Sequence, residues 1–317
     1  MSFSIIGTGH CLPKFVLDNQ QLTQMVDTSD EWIYTRTGIK SRFISTDETM
    51  TDLLTGAAQM ALTASGLSAS QLDLIIVSTV GGDYKTPSGA CIVQGKIGAD
   101  CPAFDINAAC SGFIYALDMA AAYMNSGRAK NVLVLAAELM SKHVDWQDRA
   151  TCVLFGDGAG GMVLTKGDGL KSIKITAKSN TEILNIGSNP GNSPFDKKPK
   201  TSEFLYMNGG EVFKFAVNAM LKDVEDVIAA GGITIDEVAK IIPHQANSRI
   251  IKSAQDKLKI APDKIVNQIH KYGNTSSASI PILVSDLVHT GQLSKGDHIV
   301  LSAFGGGLTT GACLIKL

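Results

Sequence analysis

The strongest constraint on the fold is that the chain resembles itself. The run GLSASQLDLII, Gly66–Ile76, matches GITIDEVAKII, Gly232–Ile242, at an offset of 166 residues. Each has a turn glycine, an apolar residue, a Ser or Thr cap, a short helix and then an apolar strand. Further on, CSGFIYALDMAAAYMNSG, Cys110–Gly127, lies over NTSSASIPILVSDLVHTG, Asn274–Gly291, at an offset of 164. The following runs, VLVLAAE and HIVLSAF, correspond as well. Two matches in one order at nearly one offset indicate a duplicated unit about half the chain long, not a short-period solenoid. We place the halves at residues 1–165 and 166–317. The apolar runs Leu74–Val77, Val132–Leu135, Ile241–Ile242 and Ile299–Leu301 alternate with helical patterns at Thr51–Ala64 and Phe113–Met124. That alternation predicts an α/β fold with buried sheets. The repeat also sets Cys110 opposite Asn274, each leading into a helix. Halves packed about a pseudo-twofold axis would aim both helix starts at a shared central site.

Composition narrows the function classes. At 317 residues and 44% hydrophobic, the chain can bury a sizeable core. Its 28 Lys and Arg against 30 Asp and Glu leave no basic excess for nucleic acid. The six cysteines form no CxxC pair and no metal-like grouping with histidines, so reduced intracellular thiols are expected, with no disulfide framework. MSFSIIGTGH lacks the basic and long apolar regions of a secretion signal, which makes a cytoplasmic location the expectation. Apolar runs such as Val132–Ala137 fall far short of the ~20 residues a bilayer span needs, so no membrane insertion is expected.

Four segments carry candidate chemistry. AFDI reads as a buried strand and SGFIYALDMAAAYM as a helix, which places Cys110 at a helix start among small residues. The macrodipole and unpaired N–H groups there would favour a thiolate nucleophile. A packed, inert thiol is the alternative at such a position. PHQAN, Pro243–Asn247, follows a strand and puts His244 at a strand end, where α/β proteins place ligand-binding residues. Asn274, in GNTSSAS, is either a helix cap or the counterpart of Cys110. The glycines of AFGGGLTTG, Ala303–Gly311, can turn backbone N–H groups toward an oxyanion or simply form a tight turn. GDGAGG, Gly156–Gly161, fits G-x-G-x-x-G literally but leads into the strand-like MVLTK with no helix after it. It reads as a close-packed turn, and a nicotinamide cofactor is rejected.

Cys110, His244 and Asn274, with DEWIYTRTGIKSR, LFGDGAG, PHQAN, GNTSSAS and FGGG, resemble the β-ketoacyl-[acyl-carrier-protein] synthase III family of condensing enzymes. The resemblance implies a duplicated thiolase-like fold, five-layered α-β-α-β-α with two mixed sheets. It implies acyl transfer from acyl-CoA to Cys110, then decarboxylative condensation with malonyl-acyl-carrier protein, initiating type II fatty acid synthesis. Acyl-CoA would be a substrate, and no resident cofactor or metal is implied. The N–H groups of Cys110 and Gly306 would form the oxyanion hole, with His244 and Asn274 stabilising the enolate. Trp32, Arg36, Arg149 and Asn247 would bind CoA, and Lys214, Arg249 and Lys257 would dock the carrier protein. Asp256 stands where a family enzyme carries a second lysine. Thr86 occupies a position that reaches the partner's acyl pocket in the family's homodimer, and its small size would admit primers longer than acetyl. The Pro-, Lys- and Ser-rich stretch Ser188–Phe204 reads as a mobile surface flap. Three other readings are weighed: a secondary-metabolite condensing enzyme making quinolones or polyketides, a Cys-dependent thioester hydrolase, and a noncatalytic acyl-binding subunit. A degradative thiolase is disfavoured, because the C-terminal glycine loop holds no second cysteine and Cys313 lies beyond it.

Overall fold

The computed structural model describes residues 2–188, 194–195 and 202–317, so most of the Ser188–Phe204 segment lies outside the described residues. One sheet is built from β1 (Ser2–Cys11), β2 (Leu74–Ser78), β3 (Ala103–Ile106), β4 (Asn131–Leu139) and β5 (Asp157–Gly167), in the order β1-β5-β4-β2-β3. The second contains β6 (Leu170–Asn180), β7 (Val238–Pro243), β8 (His298–Gly305) and β9 (Gly307–Lys316), in the order β6-β9-β8-β7. Both sheets are mixed. β2 runs parallel to β3 and β4, as β7 does to β8, and the outer pairs are antiparallel. A single parallel bridge from Ile241 to Ile265 stands where a fifth strand would complete the match.

The helices that matter here are α1 (Asp30–Thr37), α2 (Met50–Ser65), α3 (Gly89–Ile97), α4 (Gly112–Asn125), α5 (Gly209–Ala230), α6 (Ser248–Leu258) and α7 (Ser279–His289). α2 and α3 cover the outer face of the first sheet, α5 packs on the outer face of the second with α6 against it, and α4 and α7 lie between the sheets. The result is the five-layered α-β-α-β-α sandwich that the resemblance implied. The central layer holds an apolar core in which Phe113, Leu117 and Leu283 meet Val134 of one sheet and Leu301 of the other. Burial of this kind contributes roughly 25 cal/mol per Å² of apolar surface.

Local chemistry explains the element ends. Thr49 caps α2 through a reciprocal pair with Asp52, and Gly66 stops it in the left-handed region at φ 72°. Gly232 takes the same role after α5 at φ 71°, so the offset of 166 holds there. The second offset needs correction. α4 begins at Gly112 and α7 at Ser279, 167 residues on, whereas their terminating glycines Gly127 and Gly291 are 164 apart. α7 has 11 residues against 14 in α4, and the loop from Gly291 to His298 regains the difference. Cys110 therefore corresponds to Ser277, and Asn274 corresponds to Asn107. The backbone agrees: Ala109 and Ser276 share a left-handed φ of 48° and 49°. Asn107 Oδ1 accepts the Ala109 N–H and Asn274 Oδ1 accepts the Ser276 N–H in the same way.

Two smaller readings also change. AFDI is a half-buried strand at the sheet edge, not a buried one. GDGAGG is no turn beyond Gly156, because Asp157–Gly161 already runs within β5. A Cβ on Gly160 would lie 2.6 Å from the Ile282 nitrogen, so glycine here lets α7 lie directly on the strand.

Candidate active site

α4 and α7 both start from short 3₁₀ turns, Ala109–Ser111 and Ser276–Ala278, which face one another between the sheets. Their meeting brings the Ser276 hydroxyl within 3.3 Å of Cys110 Sγ. The turns close one end of a cavity of about 1210 Å³ lined by Cys110, His244, Asn274, Asn247, Phe304 and Gly306. Cys110, His244 and Asn274, predicted from separate motifs, thus line one cavity.

Each is held by its own local device. His244 follows the last residue of β7, and its N–H donates to Ser302 O of β8 at 2.8 Å. Phe304 packs edge-on against the imidazole at 5.4 Å. Nδ1 lies 2.7 Å from Ser279 Oγ, and that oxygen accepts the Gln245 N–H at 3.3 Å. Among the described residues the Ser279 hydroxyl has no other acceptor, so its one proton goes to Nδ1 and Nε2 carries the ring hydrogen. Burial holds the imidazole down to about 3, so it is neutral at physiological pH. Asn274 is clamped on both sides by LFGDGAG: its N–H donates to Leu154 O at 2.9 Å, and its carbonyl accepts the Gly156 N–H at 3.0 Å. With Oδ1 occupied by the Ser276 N–H, its NH₂ is the free end.

Cys110 departs from expectation. Burial, the largest influence, together with the nearby Glu138 pushes the thiol up to about 12 against the opposing Ser276 hydroxyl. The resting group is a neutral thiol, because desolvation of the anion outweighs the favourable turn and helix end. Gly305 lies against its backbone, where an added Cβ would sit 2.6 Å from Cys110 N, and Gly306 is next along the hairpin. Thr309 fixes the hairpin to the cysteine elbow, its hydroxyl lying 3.0 Å from both Ala108 O and Gly306 O, which share its one proton, and accepting from Ser111 Oγ at 2.7 Å.

Trp32, Arg36 and Arg149 come together at the surface. The two guanidinium carbons lie 4.7 and 5.0 Å from the indole centroid. None of the three lines the cavity, but Asn247 does, and its Nδ2 donates to Arg36 O at 3.1 Å. Arg249 and Lys257 are exposed on α6 with no ion-pair partner among the described residues, whereas Lys214 on α5 is paired with Glu211 at 2.9 Å. Thr86 is exposed and does not line the cavity of its own chain.

The motif reading missed Glu138, Ser276 and Ser279. Glu138 is only 1% exposed, at the end of the apolar run VLVLAAEL. A carboxylate inside such a run was the available signal, since unpaired buried charges are rare. Oε1 accepts from Ser277 Oγ at 2.8 Å and Ser276 Oγ at 3.2 Å, and Oε2 accepts the Val80 N–H at 3.1 Å.

The chain is similar to known proteins over its whole length. Residues 104–182 match the family model for 3-oxoacyl-[acyl-carrier-protein] synthase III, and residues 228–317 match the model for its C-terminal part. A β-ketoacyl-[acyl-carrier-protein] synthase III from Clostridium perfringens is 48% identical, over 99% of this chain and 98% of its own. The crystal structure of 3-oxoacyl-[acyl-carrier-protein] synthase III from Aquifex aeolicus superposes with a TM-score of 0.93 at 46% identity, covering 99% of this chain and 100% of that one. A priming β-ketosynthase of the R1128 polyketide pathway has the same TM-score of 0.93 at 32% identity, covering 100% of this chain and 96% of that one. Identity approaching half over the full length places the chain with the fatty-acid enzymes ahead of the polyketide one: it belongs to the β-ketoacyl-[acyl-carrier-protein] synthase III family.

Proposed function

We propose that Cys110, His244 and Asn274 carry out the acyl-CoA-primed decarboxylative condensation that initiates type II fatty acid synthesis. The observation that supports this division of labour is that all three line the same cavity. Cys110 Sγ attacks the thioester carbonyl of acyl-CoA, the N–H groups of Cys110 and Gly306 hold the oxyanion, and CoA leaves. Malonyl-acyl-carrier protein then presents its thioester carbonyl to the His244 Nε2–H and the Asn274 NH₂. A neutral imidazole suits this task, because it donates a hydrogen bond without protonating the enolate. Loss of CO₂ leaves that enolate, which attacks the acyl-Cys carbonyl and gives the 3-ketoacyl product.

Trp32 with Arg36 and Arg149 grips the adenine and phosphates of CoA, and Asn247 meets the pantetheine arm. Arg249 and Lys257, with Lys214, receive the acidic carrier protein. The enzyme acts in the cytoplasm as a homodimer, uses acyl-CoA as substrate with no resident cofactor or metal, and its Thr86 widens the partner's acyl pocket. No helix among the described residues is long and apolar enough to cross a membrane.

Incubating the protein with acetyl-, butyryl- and octanoyl-CoA, followed by intact mass, tests the reading. Cys110 should carry the acyl group, and malonyl-acyl-carrier protein should discharge it as a 3-ketoacyl product. Cys110→Ala should abolish the adduct, whereas Asn274→Ala should keep it and lose decarboxylation. An adduct on another residue, or net hydrolysis without extension, overturns the assignment; strict acetyl preference overturns the Thr86 reading.

A further inference from the structure

A neutral thiol cannot attack a thioester until its proton has somewhere to go. His244 is badly placed to take it. Its Nδ1 lies 2.7 Å from Ser279 Oγ, and in the tautomer that contact favours its Nε2 already carries a hydrogen. The other group linked to the sulfur is Ser276, whose hydroxyl lies 3.3 Å from Cys110 Sγ and 3.2 Å from Glu138 Oε1. A hydroxyl has one proton. Facing a carboxylate and a thiol, it donates to the carboxylate and its lone pair accepts the S–H.

We propose that Glu138, acting through the Ser276 hydroxyl, takes the Cys110 thiol proton during acylation and returns it to the sulfur during condensation. The proposal rests on the reading of Cys110 as the acylated residue. In the first step the S–H proton passes to Ser276 Oγ as the Ser276 proton passes to Glu138 Oε1. The freed sulfur forms the S–C bond to the acyl carbon, the C–S bond to CoA breaks, and the CoA thiolate leaves and takes a proton from solvent. In the second, the C–C bond that held CO₂ supplies the electron pair for the new C–C bond. The acyl–S bond then breaks onto Cys110, and the relay runs backward to leave thiol and carboxylate. Charge and atoms balance with no co-reactant beyond the two substrates and solvent.

The surroundings fit a group that holds and gives up a proton. Burial raises the Glu138 carboxyl to about 7, while Val80 N–H, Ser277 and Ser276 favour its ionised form. It is thus poised between its two states near neutrality. On the cavity side Cys110 and His244 are joined by Tyr84, Lys85, Asp105, Lys142, His143 and Glu203, none of which bonds to Glu138. Asp157, on the strand paired with that of Glu138, has its carboxylate taken up by Ser45 and Ser141. Among the described residues no lysine or arginine bonds to Glu138 that would lock it as an anion. As a group acting through Ser276, Glu138 is a positioning and proton-holding residue.

The test is alkylation of Cys110 in the full chain by iodoacetamide, a neutral probe, followed by intact mass across the pH range on either side of neutrality. The unchanged protein should show a rate that rises through an inflection near the Glu138 titration. In Glu138→Gln and in Ser276→Ala the inflection should vanish and the rate at neutral pH should fall about 10- to 100-fold. The double variant should fall no further than either single one, as expected for two members of one relay. Ser276→Ala keeps the test open if Glu138→Gln fails to fold, because Ala109 already occupies the equivalent position at φ 48°. An unchanged pH profile in a folded single variant, or multiplicative losses in the double, overturns the relay. Alkylation and acylation that both miss Cys110 overturn instead the reading on which it rests.

Discussion

Gly305→Ala is the sharpest probe of how the second half positions the nucleophile of the first. The added Cβ would lie 2.6 Å from Cys110 N and 3.2 Å from both Ala109 Cβ and Cys110 Cβ. Gly305 is not among the residues at positive φ, so alanine meets no backbone strain and the contact alone decides the outcome. An ordinary contact begins near 3.4 Å, so hairpin and elbow must separate by about 0.8 Å. The neighbour is backbone inside a packed turn and cannot rotate away. Ser111 and Thr309 bond across this seam at 2.7 Å, which limits movement of the hairpin as a whole. Displacement of roughly that size at a reacting centre costs on the order of 10²-fold in rate, and overpacking costs about 1–3 kcal/mol of stability. Quench-flow acylation by acyl-CoA, read by intact mass, gives the first quantity and denaturant unfolding the second. Acylation within about threefold of the unchanged enzyme would refute the reasoning, since it would mean the seam opens without moving the Cys110 peptide.

Other outcomes follow from the same coordinates. Arg42 is fully buried and donates to Leu17 O, Asn19 Oδ1 and Val153 O, so Arg42→Met strands three acceptors and should destabilise by about 3 kcal/mol in urea unfolding. The Glu138 carboxyl is raised from 4.5 to about 7, so the folded state holds its proton where the unfolded chain has released it. Its stabilising effect is full below about 4.5 and is lost as pH rises to about 7, on the order of 3 kcal/mol in all, and Glu138→Gln should remove that slope from unfolding curves measured across the window. His244, lowered to about 3, acts in the opposite sense: stability is lost as pH falls from 6.5 toward 3, and His244→Asn should flatten that limb. Trp32→Ala removes the surface both guanidinium groups stack on and should raise the KM for acyl-CoA about 10-fold or more, with a smaller change in kcat.

Much of the architecture is legible in the chain. β2, β4, β7 and β8 fall where the apolar runs put them, and α2 and α4 where the helical patterns do. These runs are continuous because their strands are covered on both faces, and the alternation of strand and helix then leaves few folds. His244 is equally legible, since PHQAN ends a strand and α/β proteins place ligand-binding residues at strand ends. The edge position of β3 is not, because a four-residue run carries no record of whether a fifth neighbour pairs with it.

The sequence by itself determined that two similar units build this protein and that Cys110, His244 and Asn274 stand at the ends of their elements. Tertiary structure decided the rest. It showed that α7 is shorter than α4, so that Cys110 faces Ser277 and not Asn274 across the pseudo-symmetry; a local match anchored on the helix-ending glycines cannot see a deletion inside the helix. It reversed the expected ionisation of Cys110, because a helix end is a local feature whereas desolvation depends on everything packed around the sulfur. It also brought Glu138 to within one hydroxyl of the nucleophile. Residues 138, 276 and 110 have no periodicity in common, and only the closing of two sheets around α4 and α7 makes them neighbours.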